Sequence, residues 1–363
     1  MPSTPPALIE TSTRHAVYLE GLKTHDAMVF RKYLNDMRKG IVAELAGENI
    51  TDWNKARLNK KLTAIRGVLN TGFSEFETEW RRQILELAEY EAGFEARALN
   101  KIVRYDFDLP SSDQIRQAVF GSPLQVTGPD GGALLDSFYA DWSNREKRRV
   151  SNLVRMGYAQ GQTTPQIIRN IQGSAPALYT DGALAVTDRA MATLVRTSLQ
   201  HAATQAREAT WDRNKDVIRG VRIVATLDGR TTPQCQSLDG RVFPVGSGPR
   251  PPFHPGCRTT TAAALDDRYK FLEEGGTRAA RDTEDGRKIV SVPANQTYYG
   301  WLKNQPQDFQ DSVIGPTRGK LLRDGGLSAQ RFQELQLSRQ FQPHTLAEIK
   351  RLEPLAFSRA GLE

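Results

Sequence analysis

One stretch of this chain repeats its large apolar residues every three or four positions over several turns: Ile65, Leu69, Phe73, Phe76, Trp80, Ile84, Leu87, Tyr90 and Phe94. That spacing places them on a single stripe of an α-helix, and within it only Gly67, Gly72 and Gly93 interrupt. The pattern starts after a cap at Thr51 or Asp52, which can accept a bond from an unpaired backbone N–H, and continues to about Val103. The helix so defined has roughly 50 residues and is about 75 Å long at 1.5 Å per residue. An amphipathic helix of this length needs a partner, either another long helix or another chain. The aromatic stripe reads as packing rather than as a platform for a ligand.

The rest of the chain is read around that helix. Residues 1–12, rich in Pro, Ser and Thr, look like a flexible tail, and a helical pattern runs from Arg14 to Ala46 before the Gly47-Glu48-Asn49 break. Pro110-Ser111-Ser112-Asp113 opens a short helix ending near Gly121, and residues 122–132 form a turn-rich link. Helix resumes through Leu134, Phe138, Trp142 and Val150 to about Gln160. Gly161-Gln162-Thr163-Thr164-Pro165 then combines a stop, a cap and a proline in the first turn of the next helix, Gln166–Gln172. A further helix spans about Ala185 to Lys215. After Gly220 the pattern changes: Val221–Thr226, Arg241–Phe243 and Arg258–Thr261 have strand composition. Beyond Asp266 only short helices and turns are expected. The fold class is therefore mainly α with a small α+β module, the parts being a tail (1–12), a long helical region (13–130), a central module (131–265) and a helical C-terminal arm (266–363).

Composition narrows the function classes. With 39% hydrophobic and 25% charged residues and a mean hydropathy of -0.52, the chain can bury cores yet keeps long solvent-facing surfaces. No apolar run approaches the ~20 residues that span a bilayer, and the N-terminus lacks the basic-then-apolar pattern of a secretory signal, so the expected compartment is cytoplasmic. Two cysteines are too few for a disulfide scaffold. A net charge of +7 permits contact with nucleic acid without demanding it.

The densest chemistry lies between Thr226 and Thr261. Asp228, Arg230, Thr231, Cys235, Asp239 and Gly240 are followed by Pro251-Pro252-Phe253-His254-Pro255-Gly256-Cys257-Arg258. This run resembles the phage head morphogenesis family with Mu F-like domains: an Asp-x-Arg-Thr near a Cys or His, an Asp-Gly turn, then Pro-Pro-x-His-Pro-x-Cys-Arg leading into a strand. Gly161-x-Thr163-x-x-Gln166-Ile167 resembles that family's small helix-turn element. Ser198 stands in Arg196-Thr197-Ser198 where the family pattern has Glu. The segment from Tyr298 to Leu327 is similar to the tail of many phage members. The resemblance implies a minor head protein of a tailed bacteriophage, located in the virion at the head interior or portal vertex and assembled in the host cytoplasm. Its implied partners are the portal protein, the major capsid or scaffolding protein, and packaged double-stranded DNA; the long helices add self-association.

The residues themselves leave several chemistries open. Cys235, His254 and Cys257 offer three ligands for zinc, with Asp228, Asp239 or water as the fourth. A Cys235–Cys257 disulfide is the oxidised alternative. The favoured reading is a proline-rich turn unit in which both cysteines are small buried hydrophobes, Asp228 and Asp239 bond turn N–H groups, and Arg230 and Arg258 pair with those carboxylates. A thiol hydrolase would use Cys235 and His254, and Arg196-Thr197-Ser198 with Tyr298-Tyr299 hints at an ADP-ribosyltransferase, but neither has a complete set of catalytic groups. A Walker-type phosphate loop and the His/Glu pairs of zinc proteases are absent, so binding, not catalysis, is expected. The alternatives are an enzyme (nuclease or hydrolase) ejected with the genome, and an assembly chaperone that leaves before maturation. Two basic groups, Arg145, Lys147, Arg148 and Arg149, then Arg318, Lys320 and Arg323, are candidates for contact with phosphates or an acidic partner.

Overall fold

A computed structural model describes residues 2–272, 275–283, 285 and 288–362. The long helix is present. In chain order the helical region comprises α1 (Pro6–Val29), α2 (Arg31–Leu45), α3 (Lys55–Val103), α4 (Ser112–Gly121), α5 (Leu135–Ala159), α6 (Thr164–Gln172) and α7 (Ala183–Arg213). The cap of α3 is neither Thr51 nor Asp52. Those residues form a 3-10 turn, and Asn54 accepts the Arg57 N–H at 2.8 Å, so the helix starts one turn later than its pattern suggests.

The stripe on α3 finds its partners inside the chain. Ile65, Leu69, Phe73, Phe76, Trp80, Ile84 and Leu87 are buried against α2, α5 and α7, in a core that also holds Met37, Trp142, Val154, Met191 and Leu199. Gly72 makes room there for Met37: a Cβ at this position would fall 2.3 Å from Cγ of Met37, so that side chain would have to shift. Tyr90 and Phe94 leave the buried phase. Beyond Leu87 the inward face runs through Ala88, Glu91, Ala92, Glu95, Ala96 and Leu99 instead.

Residues 1–12 are not a flexible tail over most of their length. Pro6 opens α1, Leu8 and Ile9 are buried, and Ser3 pairs with Leu265 as an added sheet edge. A proline in the first helical turn loses no hydrogen bond, because that N–H has no intrahelical acceptor. Here it starts the helix rather than marking disorder.

The chain then forms β1 (Ile218–Val224), α8 (Pro233–Leu238), β2 (Val242–Pro244) and β3 (Thr260–Leu265). These strands make an antiparallel sheet in the order β2-β1-β3, with Val221 opposite Phe243 on one side and Ala263 on the other. Against expectation, strands follow Asp266: β4 (Thr277–Arg281) and β5 (Ile289–Pro293) form an antiparallel pair. The buried positions of β4 are held by Arg278 and Ala280 rather than by large apolar residues, and β5 is mostly exposed. The C-terminal helices are α9 (Tyr298–Leu302), α10 (Gln307–Ile314), α11 (Pro316–Asp324), α12 (Ala329–Glu334), α13 (Leu346–Leu352) and α14 (Pro354–Arg359). They enclose their own core of Trp301, Leu302, Leu321, Leu322, Phe332, Ile349 and Phe357, which Leu227 of the central module joins. The arm is thus a packed unit seated on the module. No helix among the described residues is long and apolar enough to cross a membrane.

Candidate functional site

The Asp-x-Arg-Thr turn follows β1. Oδ1 of Asp228 accepts the Arg230 N–H and the Thr231 hydroxyl, both at 3.0 Å, closing an Asx turn. The carboxylate also receives two bonds from the Arg258 guanidinium, at 2.6 and 2.9 Å, pinning the turn to the start of β3. Burial pushes the Asp228 carboxyl up, but Arg258 and the turn donors outweigh it and hold it below its ordinary value. Arg230 is different: it is mostly exposed and reaches Asp228 only at 3.9 Å.

Asp239 is fully buried, and its partner is not an arginine of the motif. Its oxygens accept the Ala225 N–H at 2.7 Å, the Tyr298 N–H at 2.7 Å, and two bonds from Arg278 of β4 at 3.0 and 3.2 Å. Gly240 follows with φ of +80°, the left-handed conformation that favours glycine. One carboxylate therefore joins β1, the second sheet and α9. Around it, Gln333 donates to the carbonyls of Ser237 and Asp239, and the Tyr298 hydroxyl donates to the Asp228 carbonyl. Arg278, Tyr298 and Gln333 lie outside the motif.

Cys235 on α8 and the His254–Cys257 turn converge. The two sulfurs lie 3.7 Å apart and His254 Nε2 is 3.4 Å from Cys235 Sγ. Both cysteines are free and enclosed, at 1% and 0% exposure, so neither thiol faces an open cleft as a nucleophile would. Burial pushes the Cys257 thiol up, but the facing Cys235 and His254 groups outweigh burial and bring it below the ordinary thiol range. Bonding to Cys257, with burial, pushes Cys235 up. His254 is lowered by burial and raised more strongly by Cys257.

The turn rests on α7 and α1. Thr197 accepts the Gly256 N–H at 3.1 Å, and buried Lys23 donates to Gln200 at 2.8 Å while pairing with Glu20. Ser198 is fully buried beside them. A cavity of about 580 Å³ opens between α1, the motif and β4, with Arg196, Arg230, His254, Arg258, Arg281 and the single acid Glu20 on its wall.

A second buried charge group, which the sequence reading missed, clamps α3 to the module. Arg207 Nε donates to Glu91 at 2.9 Å and lies 3.8 Å from Glu95, while its Nη1 reaches Thr260 and the Thr261 carbonyl. His15 bonds the other oxygen of Glu91, and the Trp211 indole donates to Glu95 at 2.9 Å. Burial raises Glu91, but Arg207 and His15 outweigh it and the carboxyl sits below its ordinary value; burial dominates at Glu95, which is raised.

The two basic groups separate. Arg149 and Arg145 pair with buried Glu146, whereas Lys147 and Arg148 line a groove of about 270 Å³ with Arg66 and Arg155, and among the described residues no carboxylate lies on its wall. Arg318 bonds Gln336 and the His344 carbonyl, and Arg323 bonds Asp311 and Gln310. Those two guanidiniums serve the packing of the arm; Lys320 is half-buried beside them.

The resemblance drawn from the motif is borne out by comparison with known families: residues 148–262 match the model described as Phage Mu protein F like protein. That segment holds the C-terminal part of α5, all of α6 and α7, β1, β2, the motif and the start of β3. No curated protein and no solved structure matches the chain.

Proposed function

We propose that this chain, with its Mu F-like centre, is a minor head protein of a tailed bacteriophage that works at the portal vertex in head assembly and in packaging or delivery of the genome. The observation that carries this reading is the family match over residues 148–262. The geometry supports the reading of a binding component. Asp228 and Asp239 are saturated with donors, the thiols are enclosed, and the motif joins three parts of the chain into one body. The partners are the portal protein, the capsid or scaffolding protein, and packaged double-stranded DNA. The groove bearing Arg66, Lys147, Arg148 and Arg155 suits phosphates, since each cation that meets one releases a counterion and strengthens binding at low salt.

The test is a phage whose copy of this gene carries an early stop codon. Electron microscopy of its lysates is expected to show misassembled or unfilled heads and a loss of infectious particles, restored when the full chain is supplied from a plasmid. Normal heads at normal titre would overturn the proposal.

A further inference from the structure

We infer that Cys235, His254 and Cys257 form a zinc site, with a water drawn from the adjacent basic cavity as the fourth ligand. Tetrahedral zinc with Zn–S bonds near 2.3 Å and Zn–N near 2.0–2.1 Å requires sulfur–sulfur and sulfur–nitrogen edges of about 3.8 and 3.6 Å. The observed separations are 3.7 Å between the sulfurs and 3.4 Å from Cys235 Sγ to His254 Nε2, and all three ligand atoms lie within 4.8 Å of one another. A disulfide bond needs its sulfurs at about 2.0 Å, so the pair is spaced for a shared ion rather than for a bond.

The histidine is turned correctly for a ligand. Its Nδ1 lies 3.1 Å from the Pro255 carbonyl, which can only accept, so the proton belongs on Nδ1 and the Nε2 lone pair faces the sulfurs. This is the backbone-carbonyl arrangement by which metal-bound histidines have their tautomer fixed.

Neither aspartate of the motif can complete the site, because Asp228 and Asp239 are held by arginines and backbone N–H groups. Among the described residues no fourth Cys, His, Asp or Glu joins the three. His254 lies on the wall of the 580 Å³ cavity, which gives solvent access to the open position. The ion would tie α8 to the loop entering β3, between two elements that otherwise meet through apolar contacts of Cys235, Leu238, Phe253 and Cys257.

The experiment uses the full chain, expressed and purified without chelators under reducing conditions. Elemental mass spectrometry is expected to find about one zinc per chain. Metal-stripped protein titrated with Co²⁺ should develop the visible bands of a tetrahedral ion and a sulfur-to-metal charge-transfer band. Cys257→Ser should weaken Co²⁺ binding by roughly 100-fold or more. His254→Asn, at a partly exposed position, should do so while the circular dichroism of the protein remains that of the parent. Folded, reduced protein that carries no zinc and gives no Co²⁺ bands would overturn the site. So would purified chain whose mass is lower by two hydrogens, showing that the cysteines pair with each other instead.

Discussion

Arg207→Ala is expected to lower the stability of the folded chain by about 3–5 kcal/mol, because it leaves two buried carboxylates without their countercharge. Glu91 is 0% exposed and Glu95 2%, and the arginine that holds both also bonds β3 through Thr260 and Thr261. The loss should depend on pH in a definite sense. In the parent protein Glu91 is held below its ordinary value of 4.5, so its contribution is present above that value and disappears as the pH falls through the lower folded one. In the variant the same carboxylate has lost the group that held it down. The gap between parent and variant should therefore be widest near neutral pH and narrow as the pH falls from the variant's raised value toward the parent's lowered one. Denaturant unfolding at a series of pH values measures it. A gap of under about 1 kcal/mol at neutral pH would show that the group does not clamp α3 to the sheet.

Asp239→Ala should be comparably severe, and its consequence more local. The substitution leaves the Arg278 guanidinium buried at 2% exposure without its carboxylate, and it frees the Ala225 and Tyr298 N–H groups. Removing one member of such a buried pair costs about 3–5 kcal/mol. Because Tyr298 begins α9, the C-terminal helices should loosen first. Hydrogen exchange is expected to accelerate across α9 to α12 while the middle of α3 keeps its protection, since its core contacts are made by α2, α5 and α7. Exchange that rises equally in both regions would mean that the carboxylate supports the whole fold rather than joining the arm to it.

These two groups also mark where sequence reading stopped. The long helix was legible because a single stripe of large apolar residues keeps its phase over many turns, and the Asp228–Arg258 pair because a compact motif brings its own partners. Asp239 was recognisable as a turn residue, but its burial and its partner Arg278, which lies beyond β3, carry no local mark. Arg230, the nearer candidate, stays in solvent. On α3 the bulky Tyr90 and Phe94 drew the stripe off its true phase. The buried face follows Ala88, Ala92 and Ala96, small residues that let Glu91 and Glu95 approach α7, and the carboxylates resemble an ordinary solvated pair until Arg207 is placed opposite them. The same limit applies to the basic residues. A cluster in sequence does not tell a cation facing solvent from one bonded within the arm, as Arg318 and Arg323 are.

The cavity beside the motif carries Arg196, Arg230, Arg258 and Arg281 on its wall, and the groove between α3 and α5 carries Arg66, Lys147, Arg148 and Arg155. The buried charges support the fold, while Arg66, Lys147, Arg148 and Arg155 line an open groove.

The most direct measurement is quantitative mass spectrometry of purified phage particles, full and after release of their DNA. This chain is expected in a low, fixed number per full particle, in proportion to the portal. Retention in emptied heads would place it on the vertex, and loss with the DNA would assign it to genome delivery. Absence of the chain from full and emptied particles alike would contradict a head protein.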